Sequence, residues 1–361
     1  MSTLQVEGIK NAAASSDAIT LATDGTCTAK VTNSLSNRNL IINGSQTIDQ
    51  RNNGSEVNPV VHSKCVTDRF KFDLSQASKV KAQQVADGPT GFTRSLKVTS
   101  LAATTPAASD YYLLQQNIEG YDIDHLGWGA AGAKTVTLSF WVKSSLTGTF
   151  AACIRNNGFD RTNVQTYSIS SASTWEKKTI TFTGDTGGTW LTTTGVGLRV
   201  GWDFGGGTNF DAASTGSWLG TNDFTTSSCT HLVSTNAATW QLTGVQLEVS
   251  DHATDFENRR FVDELTSCQR YYEEGSFSFR FSGSIVRYCQ AFNTTKRSNP
   301  SMGVYYDSSK ATDGTINSGN SANSGWSKSP TSKNGFNIEK NTGSNTDSTD
   351  YAGWYTADSE L

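Results

Sequence analysis

From Arg38 to about Asp251 apolar side chains return at every second position, in short runs separated by clusters of Gly, Ser, Asn and Asp. A period of two sends successive side chains to opposite faces of an extended backbone, so this stretch is suited to strands and offers no continuous helical face. In KTVTLSFWVK, Val136, Leu138, Phe140 and Val142 mark one face, and Thr137, Ser139 and Trp141 mark the other. The first face is expected in a core and the second half-exposed. Phe150, Ala152 and Ile154 repeat the pattern, as do Ile180 with Phe182, and Val196, Leu198 and Val200 with Trp202. These spacings predict a mainly β chain built on a jelly-roll-like antiparallel β-sandwich. In WQLTGVQLEV the apolar phase passes from even positions, Trp240 and Leu242, to odd ones, Val245, Leu247 and Val249, which predicts a bulge near Gly244.

The period changes to 3.6 over residues 254–274, TDFENRRFVDELTSCQRYYEE. Thr254 and Glu257 have capping-box spacing, and Phe261, Leu265, Cys268 and Tyr272 follow along one helical face. This connecting helix is expected to rest Phe261, Leu265 and Tyr272 against a sandwich. After it, FSFRFSG, SIVRYCQAF and SMGVYY read as strands, and YAGWYTADSE adds an aromatic strand at the end. The divisions predicted are an N-terminal segment 1–37, a β-sandwich 38–253, a connecting helix 254–274 and a smaller C-terminal β-sandwich 275–361. Segment 1–37 holds only short alternations, Leu4 with Val6 and Ile19 with Leu21, beside the turn dipeptide Asp24-Gly25. It is too poor in apolar residues to bury a core alone. It is therefore either a mobile tail or a segment that orders only against identical copies, as a homotrimer, or against another protein, and the alternation around Asp24-Gly25 speaks for the ordered form.

Gly, Ser, Thr and Asn make up 150 of the 361 residues, while 35% are hydrophobic and 10% aromatic, enough for cores and against disorder throughout. The net charge of -4 lacks the basic footprint that a phosphate backbone requires, so nucleic acid is not an expected partner. No apolar run approaches the length of a membrane span, and MSTLQVEGIK lacks the features of a signal peptide, so neither membrane insertion nor signal-directed export is expected. The six cysteines stand far apart, and His62 with Cys65 has no second ligand pair at zinc-finger distance. No disulfide framework, metal or cofactor is expected. None of His62, His125, His231 and His252 sits in a catalytic spacing. Loop carboxylates such as Asp122, Asp124, Asp160, Asp203, Asp211 and Asp223 could in principle flank a glycosidic bond, but they suit turn capping and solvation better. No catalytic residue is assigned, and the chain reads as a non-enzyme.

Several segments together carry a family likeness: NRNLIINGSQTIDQRN with CVTDRF, AKTVTLSFWVKSSLTGTF, STWEKKTITFTGD, WQLTGVQLEV and LTSCQRYYEE. In this order they resemble the tail-fibre and receptor-binding proteins of tailed bacteriophages, particularly marine and cyanobacterial phages. The likeness covers most of the chain, continues through NTTKRSNPSMGVYY to YTADSEL, and includes the opening MSTLQVEGIK and SDAITLATDGTCTAKVT. It implies a virion structural protein with a carbohydrate-binding-module-like β-sandwich, usually trimeric, assembled in the host cytoplasm. Segment 1–37 would then attach the protein to other virion components, while the sandwiches contact host polysaccharide. A capsid-surface decoration or head-fibre protein is the alternative, and a polysaccharide depolymerase is an alternative of another class.

Ligand contact is expected from aromatic residues in polar loops, because a ring packs on the apolar face of a sugar while Asn, Asp and Thr supply directed hydrogen bonds. Trp202 precedes DFGGGTNFD, Trp218 lies in GSWLG, Trp128 follows Leu126-Gly127, and Trp141 is out of phase with the core face of its strand. Trp326, in a Ser/Asn-rich loop, is the candidate of the C-terminal part. For each of them, packing at a sandwich end or between subunits is the competing role.

Overall fold

The computed structural model describes residues 6–9, 12, 19–21, 23, 27–29, 37–319, 321–341, 343 and 349–361. Met1–Arg38 and Asn39–Leu361 are separate compact units. In the first, the strands Gly8–Ile9, Ile19–Leu21 and Cys27–Ala29 form a three-stranded antiparallel sheet in chain order. Leu4 and the Asp24-Gly25 dipeptide lie outside the described residues.

In the second unit, Val136–Ser144 pairs with Thr239–Val249, Leu138 standing opposite Leu247. This pair is the centre of a five-stranded sheet ordered Glu176–Phe182, Val136–Ser144, Thr239–Val249, Ser95–Ser100, Val80–Val85. Facing it is a seven-stranded sheet ordered Trp218–Leu219, Thr162–Ile169, Gly148–Arg155, Val196–Asp203, Tyr112–Glu119, Phe70–Leu74, Cys65–Thr67. Leu138, Phe140 and Leu242 from one sheet meet Phe70, Phe150 and Trp202 from the other in one buried core. Removing each such side chain from water contributes about 1.5–3 kcal/mol. The expected β-sandwich is present, and the register skips between Thr243 and Gln246 with Gly244 at φ 61°, the bulge anticipated from the shift of phase.

The outer face of Val136–Ser144 differs from expectation, because Thr137 and Ser139 are buried and only Trp141 and Lys143 on it are half-exposed. The chain leaving the last sandwich strand covers Thr137, whose Oγ1 donates to Ser250 O at 2.8 Å. The NGSQ part of the family-like segment is likewise structural. Asn43 (φ 61°) donates Nδ2–H to Ile48 O and Asp68 O and accepts from Ile48 N–H, and a Cβ on Gly44 would stand 2.1 Å from Val245 O.

The helix is shorter than the sequence suggests, Phe261–Gln269. Thr254 and Glu257 do not cap it, since Thr254 donates from N and Oγ1 to Glu248, while Glu257 accepts from Asn39 N–H and donates its own N–H to Gln246. Its buried positions are Glu264 and Cys268. Leu265 is half-buried and Phe261 is 63% exposed, so the expected packing of Phe261 is corrected. Tyr272 belongs to the next strand and is buried there.

That strand, Tyr272–Phe281, pairs with Thr349–Asp358 along its full length. Their sheet also takes in Ser301–Tyr305, Thr315–Ser318 and Ser321–Ser324, and it packs on a three-stranded sheet ordered Ile285–Ala291, Gly335–Asn341, Ser327–Ser332. Phe277, Val286, Ile316, Phe336 and Tyr355 fill the core between them. The two sandwiches meet at Glu119, whose buried carboxylate accepts from Arg270 Nε and Nη2 at 2.8 and 2.6 Å and from Tyr271 OH at 2.9 Å. Among the described residues, no helix is long and apolar enough to cross a membrane.

Candidate functional site

The pleat that turns Leu198, Val200 and Trp202 into the core turns Arg199 and Gly201 outward, and the same alternation turns out Arg155, Gln115, Lys71 and Asp73 on neighbouring strands. Arg155 stands opposite Arg199 in register, and Gln115 lies opposite both Gly201 and Lys71. Four strands therefore bring a polar cluster together on the outer face of the seven-stranded sheet. Over it lies a cavity of about 420 Å³.

The walls of the cavity are aromatic. The long connection after Asp203 folds back across the sheet, where Phe210 and Phe224 stack at 4.7 Å between ring centroids and Tyr111 meets Phe210 edge to face at 6.0 Å. Leu113, Ala151, Cys153 and Val164 join Phe224 in a small second core that holds this connection down. The opposite wall is Phe159, in the turn between two paired strands. Asn156 fixes that turn by accepting from the N–H groups of Asp160 and Arg161 and donating to Asp160 Oδ1. Phe159 has φ 57° and is 38% exposed, and the Arg199 guanidinium lies 4.1 Å from its ring centroid. His62 closes a third side, edge to face with Tyr111 at 6.4 Å and 3.8 Å from Asp73.

Both arginines are buried. Arg155 donates to Asn222 Oδ1 at 2.9 Å and to Gln115 Oε1 at 2.8 Å, and its Nε has no partner. Arg199 donates to Asn156 O at 2.6 Å and to Asn157 Oδ1 at 3.1 Å. Burial and then the charge of Arg155 pull the pKa of Arg199 down to about 10, with Asp73 acting in the opposite sense. The floor thus offers cationic donors and amides, and the walls offer ring faces.

None of the five tryptophans singled out from the sequence lines this cavity. Trp202 is fully buried between Phe70 and Phe140, and Trp326 is buried in the C-terminal core against Tyr351 and Phe279, so neither presents a ring to a ligand. Trp128 and Trp218 form an edge-to-face trio with Trp190, at centroid distances of 4.6–5.4 Å. Their Nε1–H groups are spent on Lys134 O and Thr183 O. Trp128 is buried there and Trp218 is half-buried at the sheet edge. Trp141 lies half-exposed on the five-stranded sheet beside the Gly244 bulge. The expectation of loop-exposed Trp202 and Trp326 is therefore corrected, because the sandwich cores absorb the largest rings. Phe159 and Phe210 were legible by the criterion used for tryptophan, since NNGFD and DFGGGTNFD are polar, turn-rich settings. The arginine pair had no local signal.

No protein-family model and no curated protein sequence matches the chain. Among solved structures it is similar to the enzymatically active domain of bacteriophage CBA120 tailspike protein 4, with 12% identity over 54% of this chain and 22% of that one and a TM-score of 0.30. It is also similar to TmCBM61 in complex with β-1,4-galactotriose, with 10% identity over 59% of this chain and 99% of that one and a TM-score of 0.30. A third is a putative sugar binding protein from Bacteroides thetaiotaomicron VPI-5482, with 13% identity over 59% of this chain and 100% of that one and a TM-score of 0.34.

Proposed function

We propose that this chain binds a glycan in the cavity on its seven-stranded sheet and does so as a non-catalytic part of a phage virion appendage. The observation that carries the binding half is the pairing of ring faces, Phe159 and Phe210, with a floor of directed donors and acceptors, Gln115, Asn222 and Arg155. A sugar presents an apolar face and a rim of hydroxyls, and this arrangement complements both. Asp73 is the one carboxylate in the lining, whereas glycosidic hydrolysis in its usual forms uses two, which favours binding over cleavage. The appendage half rests on the resemblance of the family-like segments to phage tail-fibre proteins. Assembly as a homotrimer through the N-terminal unit belongs to the same proposal, supported by the exposure of Ile9 and Leu21 on a sheet of only three short strands and of Val6 just before it. Three linked sites would raise avidity above that of one groove.

Affinity electrophoresis of the full chain against a panel of bacterial surface polysaccharides tests the reading. Phe159→Ala is expected to weaken binding by roughly 2- to 10-fold, the loss of one ring contact, while the lost ring face beside Arg199 lowers the melting temperature by only a few degrees. Trp141→Ala, on the other sheet, is expected to bind as the parent does. Equal retention of Phe159→Ala and the parent would place the site elsewhere.

A further inference from the structure

The arginines of the groove are a buried like-charged pair whose hydrogen-bond partners are all neutral. Arg155 and Arg199 face each other across adjacent strands and donate to amide and backbone oxygens of Gln115, Asn222, Asn156 and Asn157. Those bonds use two of the five N–H donors on each guanidinium, and Nε of Arg155 is buried with none. Among the described residues the other buried arginine, Arg69, is neutralised by Glu360, and the half-buried Arg51 by Asp358. The cavity lining holds Lys71, Arg155 and Arg199 against the single carboxylate of Asp73, in a chain whose net charge is -4. Taking two cations out of water side by side is costly unless an anion enters with them. The faces of Phe159 and Phe224, at 4.1 Å from Arg199 and 5.5 Å from Arg155, offset only part of that cost.

We propose that the groove is selective for an acidic saccharide, whose anionic group sits on the Arg155–Arg199 pair while its ring lies against the aromatic walls. The inference rests on the glycan-binding reading and narrows it. Planar guanidinium forks suit a uronate carboxylate or a sulfate ester, which share this chemistry.

Isothermal titration of the full chain separates the possibilities with four probes: hexagalacturonate, its fully methyl-esterified form, a sulfated κ-carrageenan hexasaccharide and cellohexaose. The acidic hexamer is expected to bind roughly 10- to 100-fold more tightly than its ester, which keeps the shape and loses the charge, and to weaken as sodium chloride is raised. Preference for the carrageenan probe over both galacturonate forms would support the pair and assign sulfate instead of carboxylate. Arg199→Gln is expected to bring the ratio of acid to ester affinity down towards one. Should that variant fail to fold, the acid and ester comparison on the parent protein decides alone. Equal binding of acid and ester, with neither carrageenan preference nor salt dependence, would overturn the acidic assignment and leave a neutral-glycan groove. Failure of all four probes to bind would overturn the assignment, and failure of the polysaccharide panel as well would overturn the glycan reading.

Discussion

Asp68 shows how a single buried carboxyl sets a pH dependence. It is buried directly after the edge strand Cys65–Thr67 of the seven-stranded sheet, where Gln50 N–H donates to it at 3.2 Å and its backbone carbonyl accepts from Asn43. Burial pushes its pKa up to about 6, with Arg51 and Gln50 opposing. A carboxyl raised in the folded state binds its proton more tightly there than in the unfolded chain, so its stabilising contribution is present below about pH 4 and is lost as pH rises through 6. Asp68→Asn removes that dependence. Urea unfolding of both proteins at pH 4 and pH 7 is expected to show the difference in stability shifting by roughly 2–3 kcal/mol in favour of Asn at the higher pH. A constant difference would mean that Asp68 titrates normally. The same scale explains which site residues could be read from the sequence. Phe159 and Phe210 stand in loops whose composition advertises exposure, whereas Arg155 and Arg199 are 44 positions apart and only strand register makes them neighbours.

At the scale of elements, alternation was a sufficient guide where a strand had one core face, as at Ile180 and Phe182 in Glu176–Phe182, and even the change of phase at Gly244 was legible. Gly244 is needed there for two reasons. Its φ of 61° is strained for other residues, and a Cβ would lie 2.7 Å from the Phe92 ring and 2.9 Å from Trp141 Cδ1. Gly244→Ala is expected to cost roughly 2–4 kcal/mol in chemical denaturation, the left-handed backbone and the displaced rings contributing together. The helix was legible in its existence and not in its start. Capping-box spacing at Thr254 and Glu257 is a local signal, and Glu248, Gln246 and Asn39, all outside the segment, engage those residues first. Phe261 and Val262 stand in the first turn of the shortened helix and are exposed there, while Cys268, further along the same stripe, is buried.

Across the whole molecule, the two sandwiches are tied by buried polar contacts that no sequence pattern announces. Glu119, 1% exposed, holds Arg270 and Tyr271, the two residues that join the helix to the first strand of the second sandwich. Glu119→Ala would strand the buried Tyr271 hydroxyl, while Arg270, one-third exposed, recovers water. A loss of roughly 2–4 kcal/mol in urea unfolding is expected, with faster hydrogen exchange around residues 270–275 and no change in saccharide binding. An unaltered exchange pattern would show that the sandwiches dock without this contact. The reach of such contacts also dictates a schedule for synthesis. The backbone N–H of Asn39 is satisfied by Glu257, 218 residues later, and Arg51 waits for Asp358, 307 residues later. At a translation rate of about 5–20 residues per second, the first sandwich stays unclosed for roughly 10–40 s after its opening strand leaves the ribosome. During that interval its strand edges are open to pairing with other nascent chains, so the yield of native protein is set by how well those edges are shielded before Glu257 is made.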